Sequence, residues 1–566
     1  MWAKNLLFVG LSLAGLATLG ANLSPAHKPR PRGDLRAATS PAEGFGATVE
    51  RVNAAFRADW ARRGIKPVDR ADALTLARRL SLALVGTVPS IEEIRLFEDQ
   101  PSERRIEWWL AGIFADRRHH DYLAERLARA YVGTQDGPFI IFRRRRFVSW
   151  LADELSENRP YDQIVKRLIS DSGIWTDHPA TNFVTVTIKP DQGTGPDENE
   201  LAARVARAFL GIRIDCAECH DHPFEPWKQN DFRGLAAFFG QTQQTFTGIH
   251  DVPGEYTVED PAGGKSETIA PRLPFQGELP GKLLGESVLT NGVLTNHAAG
   301  SGERAELDLR SKLAAWVTHR ENKAFARAAV NRMWAQLFGR PLIEPIDDIR
   351  PHGDLPPVLD ILADDFVSHG YDLRRLIALI ATSEVFARDS RADPANPEQE
   401  VTPGHEESWA VFPIVRLRPE QVVGGLLQAG SLETIDYESH IVTRTLRATR
   451  QNDFIREYGD AGDDEFTPAN GTIPQRLLMM NGEQVRDRIK ENPVANASTR
   501  IAILAPNDAK AVETAYLAAL TRRPTADEAA HFAAVLADAN DDRSRNQRLE
   551  DIFWTLLNST EFTWNH

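Results

Sequence analysis

The sequence predicts a mainly α-helical protein in which two multi-helical domains are joined by a small β-containing, loop-rich segment. Apolar residues recur at three- and four-residue spacing through most of residues 48–240 and 303–566, which is typical of amphipathic helices. Residues 241–302 lose that spacing and are rich in Thr, Gly, Pro and Val, which favours short strands and loops. A chain of 566 residues is also long enough to form more than one domain.

The first 47 residues are predicted to stand apart from the folded domains. Residues 1–21 have the pattern of an export signal, because Lys4 precedes an apolar run that ends in small residues. The run is too short to span a bilayer comfortably, so we interpret it as a signal peptide or an uncleaved N-terminal anchor. Residues 22–47 are rich in Pro, Ala, Gly, Ser and Arg and are predicted to form a flexible linker. We therefore expect a periplasmic or otherwise extracytoplasmic protein that meets a membrane only through such an anchor.

The charge balance argues against nucleic acid as a partner. The formal net charge is −14, which disfavours binding of polyanions by the body of the protein. One strong basic run occurs, at residues 142–147. One interpretation is a patch for an anion or an acidic partner, but in a net acidic chain we favour the other, in which its arginines cover neighbouring helices while Phe142 and Phe147 face the core.

Capping residues mark helix boundaries in residues 48–240. Ser90 and Glu93 have the spacing of a capping box. Pro196 suits the first turn of a helix that Gly211 ends, and Asp231 is predicted to cap the helix after it. Helices are predicted over 69–85, from 90, over 102–114 and 120–131, from 160, and over 196–211 and 231–240.

Residues 303–566 carry the same helical spacing, interrupted by Gly, Pro and capping Asp residues. Residues 433–472 are polar and are predicted to form loops. Helices are predicted over 307–319, 324–338, 355–370, 372–386, 418–427, 474–485, 508–520, 527–537 and 548–562.

The chain has two cysteines, and both lie in the sequence Cys-Ala-Glu-Cys-His at residues 216–220. This spacing is typical of c-type haem attachment, in which Cys216 and Cys219 bind the porphyrin and His220 ligates the iron. Haem c is therefore the predicted cofactor. Export agrees with this prediction, because thioether attachment of haem takes place outside the cytoplasm and free cysteine pairs there tend to oxidise.

The same residues fit two other arrangements. Cys216 and Cys219, with His220 or His222, supply sulfur and nitrogen ligands for a structural zinc that takes a fourth ligand from elsewhere. The two cysteines could also close a small disulfide. If haem is bound, His222 is left with the role of a hydrogen-bonding turn residue.

Several short stretches on both sides of the β segment have the form of known family motifs. They are FLGIRID at 209–215, CAECHDHPF at 216–224, PW at 226–227, DF at 231–232, FARAAVNRMW at 325–334, FGR at 338–340, DD at 347–348, LRPEQ at 417–421, LTRRPT at 520–525 and LLNSTEF at 556–562. By these motifs, residues of about 48–240 resemble the N-terminal, cytochrome-c-like domain of a large planctomycete family of exported proteins, and residues of about 303–566 resemble the domain that follows it. Neither domain has an established activity, so the resemblance implies an architecture and a compartment rather than a reaction.

We therefore expect an exported c-type haem protein with an electron-transfer or oxidative role, acting on a redox partner protein or an extracytoplasmic substrate. One alternative is a non-redox binding or scaffold protein whose motif is closed by zinc or a disulfide. Another is an extracellular polymer hydrolase, although no Gly-x-Ser-x-Gly or His-Glu-x-x-His motif occurs. Carboxylate pairs such as Asp347 and Asp348 are interpreted as caps or solvated turns. Whether the protein is an enzyme is left open.

Overall fold

The computed structural model describes most of the chain after residue 43. The predicted export signal at 1–21 and most of the predicted linker lie outside the described residues, and the linker prediction ends too late, because a helix begins at Phe45. No described helix is both long enough and apolar enough to traverse a bilayer. The described residues are 44–135, 142–188, 195–253, 255–258, 266–274, 288–290, 293–295, 309–350, 353–392, 400–436, 439, 441–460, 462, 466, 471–492 and 496–566.

The described part before residue 241 is helical, as predicted. The predicted capping box is confirmed: the Ser90 hydroxyl accepts the Glu93 amide, and the Glu93 carboxylate accepts the Ser90 amide. Phe142 and Phe147 are buried beside the basic run, also as predicted. The helices are α1 Phe45–Arg63, α2 Ala73–Val85, α3 Ile91–Glu98, α4 Arg105–Phe114, α5 Arg117–Val132, α6 Arg144–Ser156, α7 Tyr161–Ser170, α8 Asn182–Thr185, α9 Glu198–Val205 and α10 Gln229–Ala236.

The segment after α10 forms short strands, as predicted. The strands pair as two-stranded antiparallel sheets, and β1 and β2 are in register from Thr242 opposite Asp251 to Thr245 opposite Gly248. The Gly173 and Ile249 backbones exchange hydrogen bonds of 2.8 and 3.0 Å, which attaches this hairpin to the preceding helices. The strands are β1 Thr242–Thr245, β2 Gly248–Asp251, β3 Thr257–Val258, β4 Glu267–Thr268, β5 Val288–Thr290 and β6 Val293–Thr295.

Helices return from Leu309, with one further two-stranded pairing between β7 Val415–Arg416 and β8 Trp564–Asn565. The prediction of loops over 433–472 is wrong for its centre, where α17 forms: Phe454 and Tyr458, four residues apart, are buried on one side of it. The helices are α11 Leu309–Val317, α12 Lys323–Phe338, α13 Pro357–Ser368, α14 Leu373–Ala381, α15 Pro403–Glu407, α16 Pro419–Ala429, α17 Ile441–Tyr458, α18 Ile473–Asn481, α19 Glu483–Ile489, α20 Ala497–Leu504, α21 Asp508–Leu520, α22 Ala526–Ala537 and α23 Asp542–Leu557.

The helices before and after the β segment share one hydrophobic core. α1 packs on α13, where the Thr48 hydroxyl donates to the Asp365 carboxylate at 2.9 Å. Arg310, almost fully buried, donates to the Asp251 carboxylate at 2.8 Å and to the Asp171 carbonyl at 2.8 Å, so it joins α11 to the hairpin and to the end of α7. The predicted mainly α class is confirmed, and the two helical regions form a common interior.

Candidate functional site

The Cys216 turn begins where a helix is stopped by a glycine. α9 continues as one π-helical stretch, Ala206–Leu210, and Gly211 then adopts a left-handed conformation with φ of 64°. A short 3₁₀ turn, Asp215–Glu218, follows and contains the first cysteine. Ala217 is fully buried and points the turn's apolar side inward, so Cys216 and Cys219 are left on the exposed side.

The Cys216 turn is followed by a second hydrogen-bonded loop, which begins at His222. The His222 Nδ1 accepts the backbone amides of Phe224 at 3.2 Å and Glu225 at 2.9 Å. The His222 amide donates to the Trp227 carbonyl at 2.8 Å, and the Trp227 side chain is buried. His222 therefore acts as a turn residue, which is the role expected for it if haem is bound. Phe224 projects into solvent with 90% of its surface exposed.

Gln229, the first residue of α10, holds the two loops together. Its side-chain amide donates to the carbonyls of Glu218 at 3.2 Å and Cys219 at 2.9 Å. Its backbone amide donates to Asp221 Oδ1 at 3.0 Å, and this hydrogen bond, with Lys228 at 3.1 Å from the same carboxylate, lowers the pKa of Asp221. The prediction that Asp231 caps α10 is wrong by three residues. Asp231 lies in the first turn and accepts the amide of Lys228, the residue at the cap position.

The three predicted haem residues are solvent-accessible. Cys216 and Cys219 are exposed and form no disulfide in the structure. His220 is exposed, and its Nδ1 lies 2.8 Å from the Asp221 carbonyl oxygen. A carbonyl oxygen only accepts hydrogen bonds, so we assign the proton of the neutral ring to Nδ1, which leaves the lone pair on Nε2. This is the tautomer in which a histidine ligates a metal through Nε2 while Nδ1 is oriented by a backbone carbonyl.

This donor set fits a covalently attached haem. Two free thiols on one short turn are available for thioether bonds, and the next residue offers an oriented imidazole nitrogen. Among the described residues, no three Cys, His, Asp or Glu side chains are gathered closely enough to hold an ion. The Nδ1 of His222 accepts a hydrogen bond from the Glu225 amide, so only its Nε2 is free to ligate a metal.

Contacts join the Cys216 turn to the loop after α12. The Ile349 amide donates to the Gly211 carbonyl at 2.7 Å, and a Cβ on Gly211 would lie 3.1 Å from the Ile349 side chain. Arg213 Nε donates to Asp347 Oδ1 at 2.8 Å, so Asp347 takes part in an ion pair and is not merely the solvated turn residue expected from the sequence. The turn is therefore held between the two helical regions.

A polar cleft of about 720 Å³ lies beside the turn. Asp215, which precedes Cys216, and Glu218, which precedes Cys219, line it together with residues of α5, α9 and the loop after α12. Arg332 of α12 also lines the cleft. Sequence reasoning missed this site, because its walls come from segments more than 100 residues apart. The one local signal is the run FARAAVNRMW, in which two arginines, Arg327 and Arg332, stand among mostly apolar residues.

Two family models match the chain. Residues 51–244 match PSCyt2, described as a protein of unknown function (DUF1549), and residues 309–536 match PSD1, described as a protein of unknown function (DUF1553). No curated protein and no solved structure matches. The two matches cover the helical regions on either side of the β segment and agree with the resemblance drawn from the sequence, while neither description assigns a reaction.

Proposed function

We propose that the protein carries haem c on Cys216 and Cys219, with His220 as an iron ligand, and serves a redox role outside the cytoplasm. The observation that supports this most directly is the His220 ring, whose Nδ1 is occupied by a backbone carbonyl and whose Nε2 is left for the iron. The bound haem would supply one-electron exchange.

The chain's own residues have three tasks in this proposal. Cys216 and Cys219 would fix the group to the turn, and the Asp221 carbonyl keeps the imidazole of His220 in the ligating tautomer. Gln229 links both loops to α10 by hydrogen bonds, so the turn is already ordered before haem is attached. The exposed position of the turn gives a redox partner protein or an extracytoplasmic substrate direct access.

Expression of the full chain in a host with haem-maturation machinery tests the proposal. We expect a Soret band, haem that stays with the chain after denaturing electrophoresis, and a native mass increased by one porphyrin. Cys216→Ala/Cys219→Ala should lose covalent haem, and His220→Ala should keep the thioether bonds but change the spectrum. A colourless wild-type product that is correctly folded in this host would contradict the proposal.

The same host tests the proposed export. The segment 1–21 is expected to direct the chain across the membrane, and N-terminal sequencing of the product distinguishes a cleaved signal peptide from a retained anchor. A product that stays in the cytoplasm with its N-terminus intact would contradict the proposed location.

A scaffold function is the second candidate, and one observation favours it. The Cys216 turn contacts the loop after α12 through Gly211, Arg213 and Glu225, the last of which lies 3.3 Å from Arg350. A zinc or a disulfide in the turn would then stabilise the junction between the helical regions. Elemental analysis separates the candidates, since one zinc and no iron per chain supports the scaffold.

A further inference from the structure

The cleft beside the Cys216 turn has the properties of a small-molecule site. Its volume of about 720 Å³ lies within the range of ligand pockets in proteins. Its walls come from both helical regions, and ligand pockets often form at such junctions. Five arginines and six carboxylates line it, so its walls carry charges of both signs.

Four of these arginines are already paired with carboxylates. Each makes a charge-assisted hydrogen bond of normal length, so its positive charge is largely compensated by the protein itself. The pairs are Arg129 with Asp460 at 2.9 Å, Arg204 with Glu200 at 2.7 Å, Arg207 with Asp215 at 2.9 Å, and Arg213 with Asp347 at 2.8 Å.

Arg332 is the exception. Its side chain lines the cleft and is 9% exposed, and within the described residues it has no hydrogen-bond or ion-pair partner. Its neighbour Asn331 is fully buried and bridges to the following loop, donating to the Ile343 carbonyl at 2.9 Å and accepting the Ile343 amide at 2.9 Å. These hydrogen bonds fix the backbone of α12 next to Arg332, which limits how far its guanidinium can move toward a distant carboxylate.

Arg332 lies close to a buried pair of tyrosine hydroxyls. The hydroxyls of Tyr131 and Tyr161, buried and 2.7 Å apart, are close enough for the charge of Arg332 to act on both. Burial raises the pKa of Tyr131 well above its ordinary value, and the positive charge of Arg332 opposes that rise. No carboxylate of the described residues compensates this charge, so the guanidinium is left for water or a ligand in the cleft.

We propose that the cleft binds a polar ligand through a carboxylate group that pairs with Arg332. The planar guanidinium presents two parallel N–H groups that match the two oxygens of a carboxylate. One negative charge is favoured over two, because Glu218 and Glu344 also line the cleft and would repel a dianion such as a phosphate monoester. This inference goes beyond the redox proposal and does not depend on bound haem.

Three sugars with the same ring and different charge test the inference on the full chain. Glucuronate carries one carboxylate, glucose carries no charge, and glucose 6-phosphate is a dianion. We expect saturable binding of glucuronate by isothermal titration calorimetry, no detectable binding of glucose, and binding of glucose 6-phosphate at least ~10-fold weaker. Failure of glucuronate to bind at millimolar concentration, or equal binding of all three sugars, would overturn the inference.

Variants identify the residue responsible. Arg332→Gln should weaken glucuronate binding by ~10-fold or more. Arg332→Lys should weaken it less, because lysine keeps the positive charge but lacks the two parallel N–H donors of the guanidinium. Arg350→Gln is the matched control, since Arg350 is 71% exposed and does not line the cleft. Should Arg332→Gln fail to fold, Arg332→Lys still decides the question: affinity equal to wild type contradicts the bidentate pair. Cys216→Ser/Cys219→Ser should bind glucuronate normally, which separates this inference from the haem proposal.

Discussion

Two short motifs that both carry the resemblance to known families have opposite environments. Residues 417–421, LRPEQ, are buried. Arg126 and Arg418 donate to the same Glu420 oxygen at 2.5 and 3.1 Å, and the Gln421 amide donates to the Leu82 carbonyl at 2.9 Å. Residues 216–220, CAECH, are exposed except for Ala217, with two free thiols.

The difference separates architecture from chemistry. In the buried motif the polar groups that contact one another come from α2, α5 and α16, so the motif fastens the first helical region to the second. In the exposed motif the internal hydrogen bonds order the backbone, while the sulfurs and one imidazole nitrogen face outward. A motif whose reactive atoms are left accessible is the one to examine for function.

The largest expected effect is the loss of the buried carboxylate. Burial alone would raise the pKa of Glu420, but Arg126 and Arg418 hold it below its ordinary value, so the group is ionised and paired. Glu420→Ala removes the carboxylate that two buried guanidinium groups share and should lower the free energy of unfolding by about 3–5 kcal/mol in urea denaturation. Glu50→Ala, in an exposed pair with Arg57, should cost less than about 1 kcal/mol. If both variants lowered the free energy of unfolding by a similar amount, the buried motif would not be more important for stability than an exposed ion pair.

The next largest effect is the pH dependence of stability caused by two buried histidines of α5. Burial lowers the pKa of His119 to about 4, and burial together with the charge of His119 lowers the pKa of His120 to about 3. Both stay neutral when folded, so the unfolded chain binds more protons below about pH 6.5 and stability falls as the pH drops. Each histidine should contribute a loss of about 1.5–2 kcal/mol between pH 7 and pH 5, which is about 3–4 kcal/mol for the two together.

His119→Gln/His120→Gln checks the histidine effect, because the variant should give a flatter stability profile over the same pH range even if its stability at pH 7 is lower. Urea denaturation at several pH values measures the slope. An unchanged slope would show that these groups titrate freely in the folded protein.

A smaller effect is expected where the exposed motif meets the second helical region. Gly211 has a left-handed conformation, and an added Cβ would lie 3.2 Å from Ala328 and 3.1 Å from Ile349. Gly211→Ala should cost about 2–3 kcal/mol from backbone strain and overpacking. Gly370 has a φ of +68° and open space around it, so Gly370→Ala should cost only the conformational part, about 1 kcal/mol. Equal costs would indicate that the junction at Gly211 is loose.

The smallest expected effect sharpens the assignment of His222. Asparagine can also accept backbone amides two and three residues ahead, but it offers no imidazole nitrogen to a metal. His222→Asn should therefore keep the turn and attach haem to the wild-type level, measured by absorbance of the denatured chain. Loss of haem in this variant, with unchanged folding, would assign His222 to the metal site after all.

Local signals allowed much of the fold to be predicted. The Ser90–Glu93 capping box and the stop at Gly211 depend on residues a few positions apart, and both are confirmed. The central helix of 433–472 was missed because its spacing is masked by polar residues and its buried side is completed by other helices. The partners of Arg213 and the isolation of Arg332 depend on contacts across more than 100 residues, which no local pattern reveals.

The packing of α1 on α13 has a consequence for how the chain acquires its structure. Thr48 and its partner Asp365 are 317 positions apart, so the apolar side of α1 stays uncovered until the far half of the polypeptide has been synthesised. Contacts between residues so far apart in sequence slow folding and prolong the exposure of apolar surface. A nascent chain of this kind is expected to depend on holding chaperones, and either half produced alone should aggregate.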